Sequence, residues 1–165
     1  MKRIITGLTV LIMTFAWLTG AFAYSTDPVF YGLKWGTSSD LIQLVLGEGI
    51  TMGNKFKMVM RYDDIEYLDR KGTALLYLDG DKLNAVQVLV IEDGTEGTGP
   101  AALNYLSMFR LQYGEPVRAD IEDAREGIVA ETEEGGCLLW KTGDTAIWLS
   151  DGGPGMTEIW FRQLK

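Results

Sequence analysis

The chain has 165 residues, with 15 basic and 23 acidic side chains, no histidine and one cysteine, for a formal net charge of −8. Without histidine there is no Ser-His-Asp or Cys-His nucleophilic system, no usual His-bearing zinc site and no His-ligated haem. One cysteine makes no internal disulfide, and so acidic a surface repels nucleic-acid phosphates and anionic membrane surfaces alike.

The first element reads as an export signal. Lys2 and Arg3 form a positive start, residues 4–18 are uncharged and mostly apolar, and Ala21-Phe22-Ala23 is a small-x-small cleavage site. The competing reading is an uncleaved anchor, because residues 4–23 are long enough to cross a bilayer. Cleavage, favoured by the small-x-small end, makes residues 1–23 a signal peptide and the product periplasmic or secreted. No cysteine follows the leader to carry a lipid. Subtracting 23 from 165 leaves 142 residues, one typical domain, with 13 basic against 23 acidic side chains, or −10. No membrane insertion of this mature chain is expected.

Residues 30–36 are apolar and Gly-punctuated, an extended opening segment. Thr37-Ser38-Ser39-Asp40 is a capping pattern, Leu41, Leu44 and Val45 recur at helical spacing, and Gly47 supplies the stop. Phe56, Met58, Met60 and Tyr62 alternate with Lys57, Val59 and Arg61, the period of a half-buried strand. A second strand is expected over 73–78, a hairpin turn at Asp79-Gly80-Asp81 and a third strand over 83–91. The polar, Gly-rich run 93–99 reads as a linker. Pro100 opens a second helix whose Ala102, Leu106, Phe109 and Tyr113 form one apolar stripe, ended by Gly114 and Pro116. An acidic loop is expected at 120–126, then strands at 128–132, 137–141, 145–150 and 157–163. This predicts an α+β fold with helices packed on one face of an antiparallel sheet, built as two α-β-β-β modules, 24–92 and 100–165, in one domain.

Residues 74–81 match residues 137–144 without a gap at an offset of 63, each a strand running into a Gly-Asp turn. Both helices also end alike, at Leu46-Gly47-Glu48 and Tyr113-Gly114-Glu115. Shared turn chemistry is the plain alternative to duplication; similar placement in the two units favours duplication. With Gly36-Thr37-Ser38-Ser39-Asp40-Leu41 before Leu46-Gly47, and Tyr113-Gly114-Glu115-Pro116 after the second helix, the chain resembles the tandem β-lactamase inhibitor proteins. Each module is similar to the small lipoprotein of the outer-membrane β-barrel assembly machinery. The resemblance implies the architecture and a non-enzymatic binding role. It carries over no functional residue, since Pro does not follow Gly47 two residues on, and the inhibitors' paired cysteines and the lipoprotein's lipid-bearing cysteine are missing.

The acid clusters Asp63-Asp64-x-Glu66, Glu92-Asp93, Glu122-Asp123 and Glu131-x-Glu133-Glu134 read as solvated turns and loop ends. A glycosidase needs two carboxylates facing across a cleft. Asp79-Gly80-Asp81 lacks the ligand series of a calcium loop, and Gly94-Thr95-Glu96-Gly97-Thr98-Gly99 lacks the Lys-Ser/Thr ending of a phosphate loop. Cys137, inside Cys137-Leu138-Leu139-Trp140, reads as a small buried hydrophobe; the alternative is a reactive thiol, and no clustered basic residue lies near to activate it. No cofactor or metal is expected.

Strand parity points Phe56, Met58, Met60, Val86, Val88, Val90, Ile147, Leu149, Ile159 and Phe161 at the helices. The opposite face then carries Lys57, Arg61, Gln87, Trp148, Glu158, Trp160 and Arg162, whereas Trp35 and Trp140 are assigned to core packing. Trp and Arg are enriched at binding hot spots, so Trp148, Trp160, Arg162, Arg61 and Gln87 are the candidate binding residues on an open face. The alternative is that the two tryptophans pack on each other, on a loop, or on a cross-strand aliphatic stem. The leading expectation is an interaction module that recognises a protein or envelope component. Its alternatives are a carboxylate-dependent hydrolase of envelope polysaccharide and a structural homodimer that buries the same face and dissociates on Trp160→Ala.

Overall fold

In the computed structural model, residues 30–92 and 100–164 are described. The expected signal peptide at 1–23 and the expected linker at 93–99 lie outside the described residues. The opening segment ties to the body through its backbone: Gly36 N–H donates to Leu83 O at 2.8 Å, and Leu83 N–H donates to Thr37 O at 2.9 Å. Helix α1 (Ser39–Leu46) starts where the capping pattern places it, with Ser38 extended at the N-cap. The cap itself comes from elsewhere in the chain. Ser39 N–H donates to Asp81 Oδ1 at 3.0 Å, and hydrogen bonding with Ser39 holds the Asp81 carboxyl below its ordinary range. Gly47, at φ 86°, ends the helix with its N–H on Gln43 O at 2.8 Å.

Strands β1 (Ile50–Gly53), β2 (Lys57–Tyr67), β3 (Arg70–Asp79) and β4 (Lys82–Ile91) follow as an antiparallel meander. Helix α2 (Pro100–Tyr113) comes next, then β5 (Val117–Ala119), a short helix α3 (Ile121–Glu126), and strands β6 (Cys137–Thr142), β7 (Thr145–Gly153) and β8 (Met156–Gln163). All eight strands form one antiparallel sheet in the order β1-β2-β3-β4-β8-β7-β6-β5. The last strand therefore joins the two meanders at the centre, with Gln87 opposite Trp160 and Val88 opposite Ile159.

The α+β class and the antiparallel pairing stand, and the structure adds that both halves share one continuous sheet. Several local expectations do not. The first half carries four strands where three are expected, the addition being β1, and in the second half β5 stands in place of the expected strand at 128–132. The expected strand at 128–132 is irregular, and the acidic loop at 120–126 contains α3. The cluster Asp63-Asp64-x-Glu66 is no turn: β2 continues through it by way of a bulge between Tyr62 and Ile65, where Asp64 adopts φ 55°. The match at offset 63 also loses its topological sense. It aligns β3, third from its sheet edge, with β6, second from the opposite edge. Common turn chemistry at Gly80-Asp81 and Gly143-Asp144 accounts for it.

Alternation along the strands produces two apolar layers. The larger combines Met60, Leu76, Val86 and Val88 with Ile147, Ile159 and Phe161, and takes in Ile42 of α1 and Tyr105 and Phe109 of α2. Trp140 belongs here, edge-on to Phe109 at 5.5 Å, with its Nε1–H on Gly114 O at 2.8 Å. Trp35 packs against this layer and donates to Thr145 Oγ1 at 2.7 Å. Phe56 is the exception among the residues assigned inward: it precedes β2 and is exposed. The smaller layer, on the opposite face, holds Ala119, Cys137, Leu139, Ala146, Trp148 and Trp160 beneath Ala124 of α3.

Candidate functional site

The second face is organised by a transverse row. Register pairs Arg61 with Leu75, Leu75 with Gln87, Gln87 with Trp160, Trp160 with Trp148, and Trp148 with Leu139. Four of the five candidate residues thus lie on one line across the sheet, and Arg162 lies one step along β8 between Ala85 and Ala146. Burial grades along the row. Arg61 is exposed and Leu75 half-buried, whereas Gln87 is 9 % exposed, Trp160 5 % and Trp148 0 %.

The expectation that Trp148 and Trp160 stand open together is therefore corrected: both are buried. The cover is α3 with the chain around Val129, which packs on this layer. Helix α3 is short but well terminated. Asp120 accepts from the N–H groups of Glu122 at 2.7 Å and Asp123 at 3.4 Å, and Gly127 closes the other end at φ 81°. Those signals stand in the sequence as Asp120, Glu122-Asp123 and Gly127. Acid-rich composition and a length of six residues hid them.

Beneath this cover lies a buried carboxylate. Glu158, expected on an open charged face, is 2 % exposed. Its Oε1 accepts from Gln87 Nε2 at 2.6 Å and from Trp160 Nε1 at 2.7 Å. Its Oε2 is 3.4 Å from both Ser150 Oγ and Arg125 Nη2. Tyr77 extends the network, donating to Gln87 Oε1 at 2.8 Å while its ring stacks on Trp160 at 5.3 Å. Glu158 in turn raises the Arg125 pKa above its ordinary value. A buried charge needs such partners, and here they fasten α3 to the sheet. Trp148 Nε1, by contrast, is buried with no hydrogen-bond partner among the described residues.

Arg162 is half-buried where α3 ends. Its Nη1 lies 3.4 Å from Arg125 O, and burial lowers its pKa. It lines a cleft of about 720 Å³ together with Asp79, Lys82, Glu126 and Gly127. Hydrolysis by paired carboxylates needs two that face each other with one held protonated by its surroundings. Glu158 faces hydrogen-bond donors, and the two acids that share this cleft, Asp79 and Glu126, are both exposed. The Cys137 thiol is buried, donates to Ala119 O at 3.1 Å and is pushed up to about 11, chiefly by burial.

The other half of this face carries no such cover among the described residues. Val59, Thr73, Leu75 and Leu89 are half-buried, and Arg61 pairs with Asp63 at 2.9 Å. Thr73 Oγ1 donates to the same Asp63 oxygen at 2.8 Å. The result is an aliphatic strip with a fixed ion pair beside it. No described helix is long and apolar enough to cross a membrane. No family model matches the chain, and no curated protein and no solved structure matches it.

Proposed function

We propose that this protein is an exported, non-enzymatic interaction module, periplasmic or secreted after loss of residues 1–23, that recognises a protein or envelope component through its second sheet face. The binding area is the half of that face formed by β2, β3 and β4, and its centre is Leu75 between Arg61 and Gln87. One observation carries the reading. The same row of the sheet is sealed by α3 over Trp148 and Trp160 and left accessible over Leu75 and Arg61. Apolar groups beside a held guanidinium are what a binding centre uses, and the sealed half supplies rigidity behind it.

The reading includes a tandem architecture akin to that of the β-lactamase inhibitor proteins. Its support is the strand order: each half is a helix, an edge strand and three further strands, and the halves meet through their last strands. In this reading β1 corresponds to β5 and β4 to β8, with α3 an insertion in the second unit.

The test is capture from the organism's own envelope extract with the purified protein and a Leu75→Asp variant. Leu75 is half-exposed, so the substitution leaves the melting temperature within a few degrees. A partner retained by the unaltered protein is expected to be lost by the variant. Equal retention by both overturns the reading.

A further inference from the structure

The two edges of the sheet are finished differently. Outside β5, Thr132 N–H donates to Arg118 O at 3.0 Å, and Gly135 lies so close to Ala119 O that no Cβ fits. That edge is closed by its own chain. Outside β1, all four residues are exposed and no described segment pairs with the strand. Asn54 N–H donates to Lys57 O at 3.0 Å, which makes 54 and 57 a hydrogen-bonded pair. Alternation along an antiparallel ladder then turns the backbone groups of Ile50 and Met52 toward β2 and those of Thr51 away from it.

We propose that the β1 edge pairs with β1 of a second copy, joining two sheets about a two-fold axis at Thr51. The self-pairing is antiparallel, so Thr51 exchanges both backbone bonds with Thr51 of its mate, and Ile50 lies opposite Met52. Ile50 and Met52 are both exposed and side by side on the second face. Pairing covers them and makes the uncovered faces of the two copies continuous. Both α1 helices come to the same side of the joint. Each exposes Leu41, Leu44 and Val45, with Leu44 80 % exposed, an apolar surface that water leaves without a partner.

Charge selects a second copy over other occupants. Beyond Gly53 the chain carries Lys55, and before Ile50 it carries Glu48, with Asp63 and Asp64 on the part of β2 that β1 does not cover. In the antiparallel arrangement Lys55 of each copy falls beside Glu48 and the acidic bulge of the other. An anionic surface or an acidic peptide would bring Glu48 and Asp64 no basic partner.

Sedimentation of the purified protein tests this. The expected mass is twice that of the chain. Thr51→Pro removes an outward N–H and takes no bond from β2, so it is expected to halve the mass with an unchanged circular dichroism spectrum. Lys55→Glu and Glu48→Lys are each expected to give monomers, and an equimolar mixture of the two to recover the dimer. A native protein that is monomeric at every concentration overturns the proposal, whether residues 1–29 or nothing then lie on the edge. A dimer that survives Thr51→Pro overturns it as well.

Discussion

The Cys137 thiol is 3 % exposed, and the acids around it, Asp120, Glu158 and Asp123, add to the burial that raises it from 9.0 to about 11. Two aromatic hydroxyls behave alike. Burial pushes Tyr105 up to about 12 and Tyr67 further still from their ordinary 10.0. In each case the fold keeps its proton at a pH where the unfolded chain has released it. Their contribution to stability is whole below pH 9 and is lost as pH rises past 9 toward 11 and 12. Urea midpoints are therefore expected to be flat from neutrality to about pH 9 and to fall above it. A Cys137→Ala variant is expected to lose the earliest part of that fall. Native thiol alkylation should run about 100-fold slower than in the unfolded chain at the same pH, since two pKa units separate the thiolate fractions. Alkylation as fast in the folded as in the unfolded protein would contradict the burial described.

At the scale of elements, α3 governs the second face. Its six residues are too few to be stable alone, so it depends on its cap and on the Arg125–Glu158 contact beneath it. Asp120→Ala removes the acceptor for two N–H groups and is expected to cost about 1 kcal/mol. Ala124→Arg puts a long cation where a fully buried methyl sits under the helix, and is expected to lift α3 from the sheet. Tryptophan fluorescence should shift to the red and become quenchable by iodide as Trp148 and Trp160 meet water. An unshifted spectrum would mean that something else covers them. These elements also mark where the sequence was readable. The alternation of Met58, Met60 and Tyr62 set β2 because one face meets a core, and strand parity put Gln87, Trp148 and Trp160 on a common face. Neighbours along the chain could not reveal that α3 covers two of them, since Arg125 and Glu158 are brought together from 33 residues apart. The edge strands β1 and β5 escaped notice for another reason: at four and three residues they are too short to show a period.

Over the whole molecule, the halves share one large core and one central joint. Met60 and Leu76 from the first meander and Ile147, Ile159 and Phe161 from the second lie in the same buried layer. Neither half can unfold and leave the other its apolar cover. Thermal unfolding is expected to be a single transition, with far-ultraviolet dichroism and tryptophan fluorescence changing together. Two separated steps would show that the halves are energetically independent. A Val88→Asp substitution at the joint, fully buried opposite Ile159, is expected to abolish both signals at once and to cost more than 3 kcal/mol, on the order of a buried unpaired charge.

The joint between β4 and β8 also sets an order of events. Gln87 and Glu158, bonded across it, are 71 residues apart in the chain. A ribosome delivers β4 long before its neighbour exists, and contacts this distant close slowly. Until β8 is finished, β4 is an open edge with Val86, Val88 and Val90 along it, the kind of strand that adheres to any other. A chain that stops short of Met156 keeps that adhesive strand exposed for good. Strand β8 is the one that turns an aggregation hazard into the middle of a sheet.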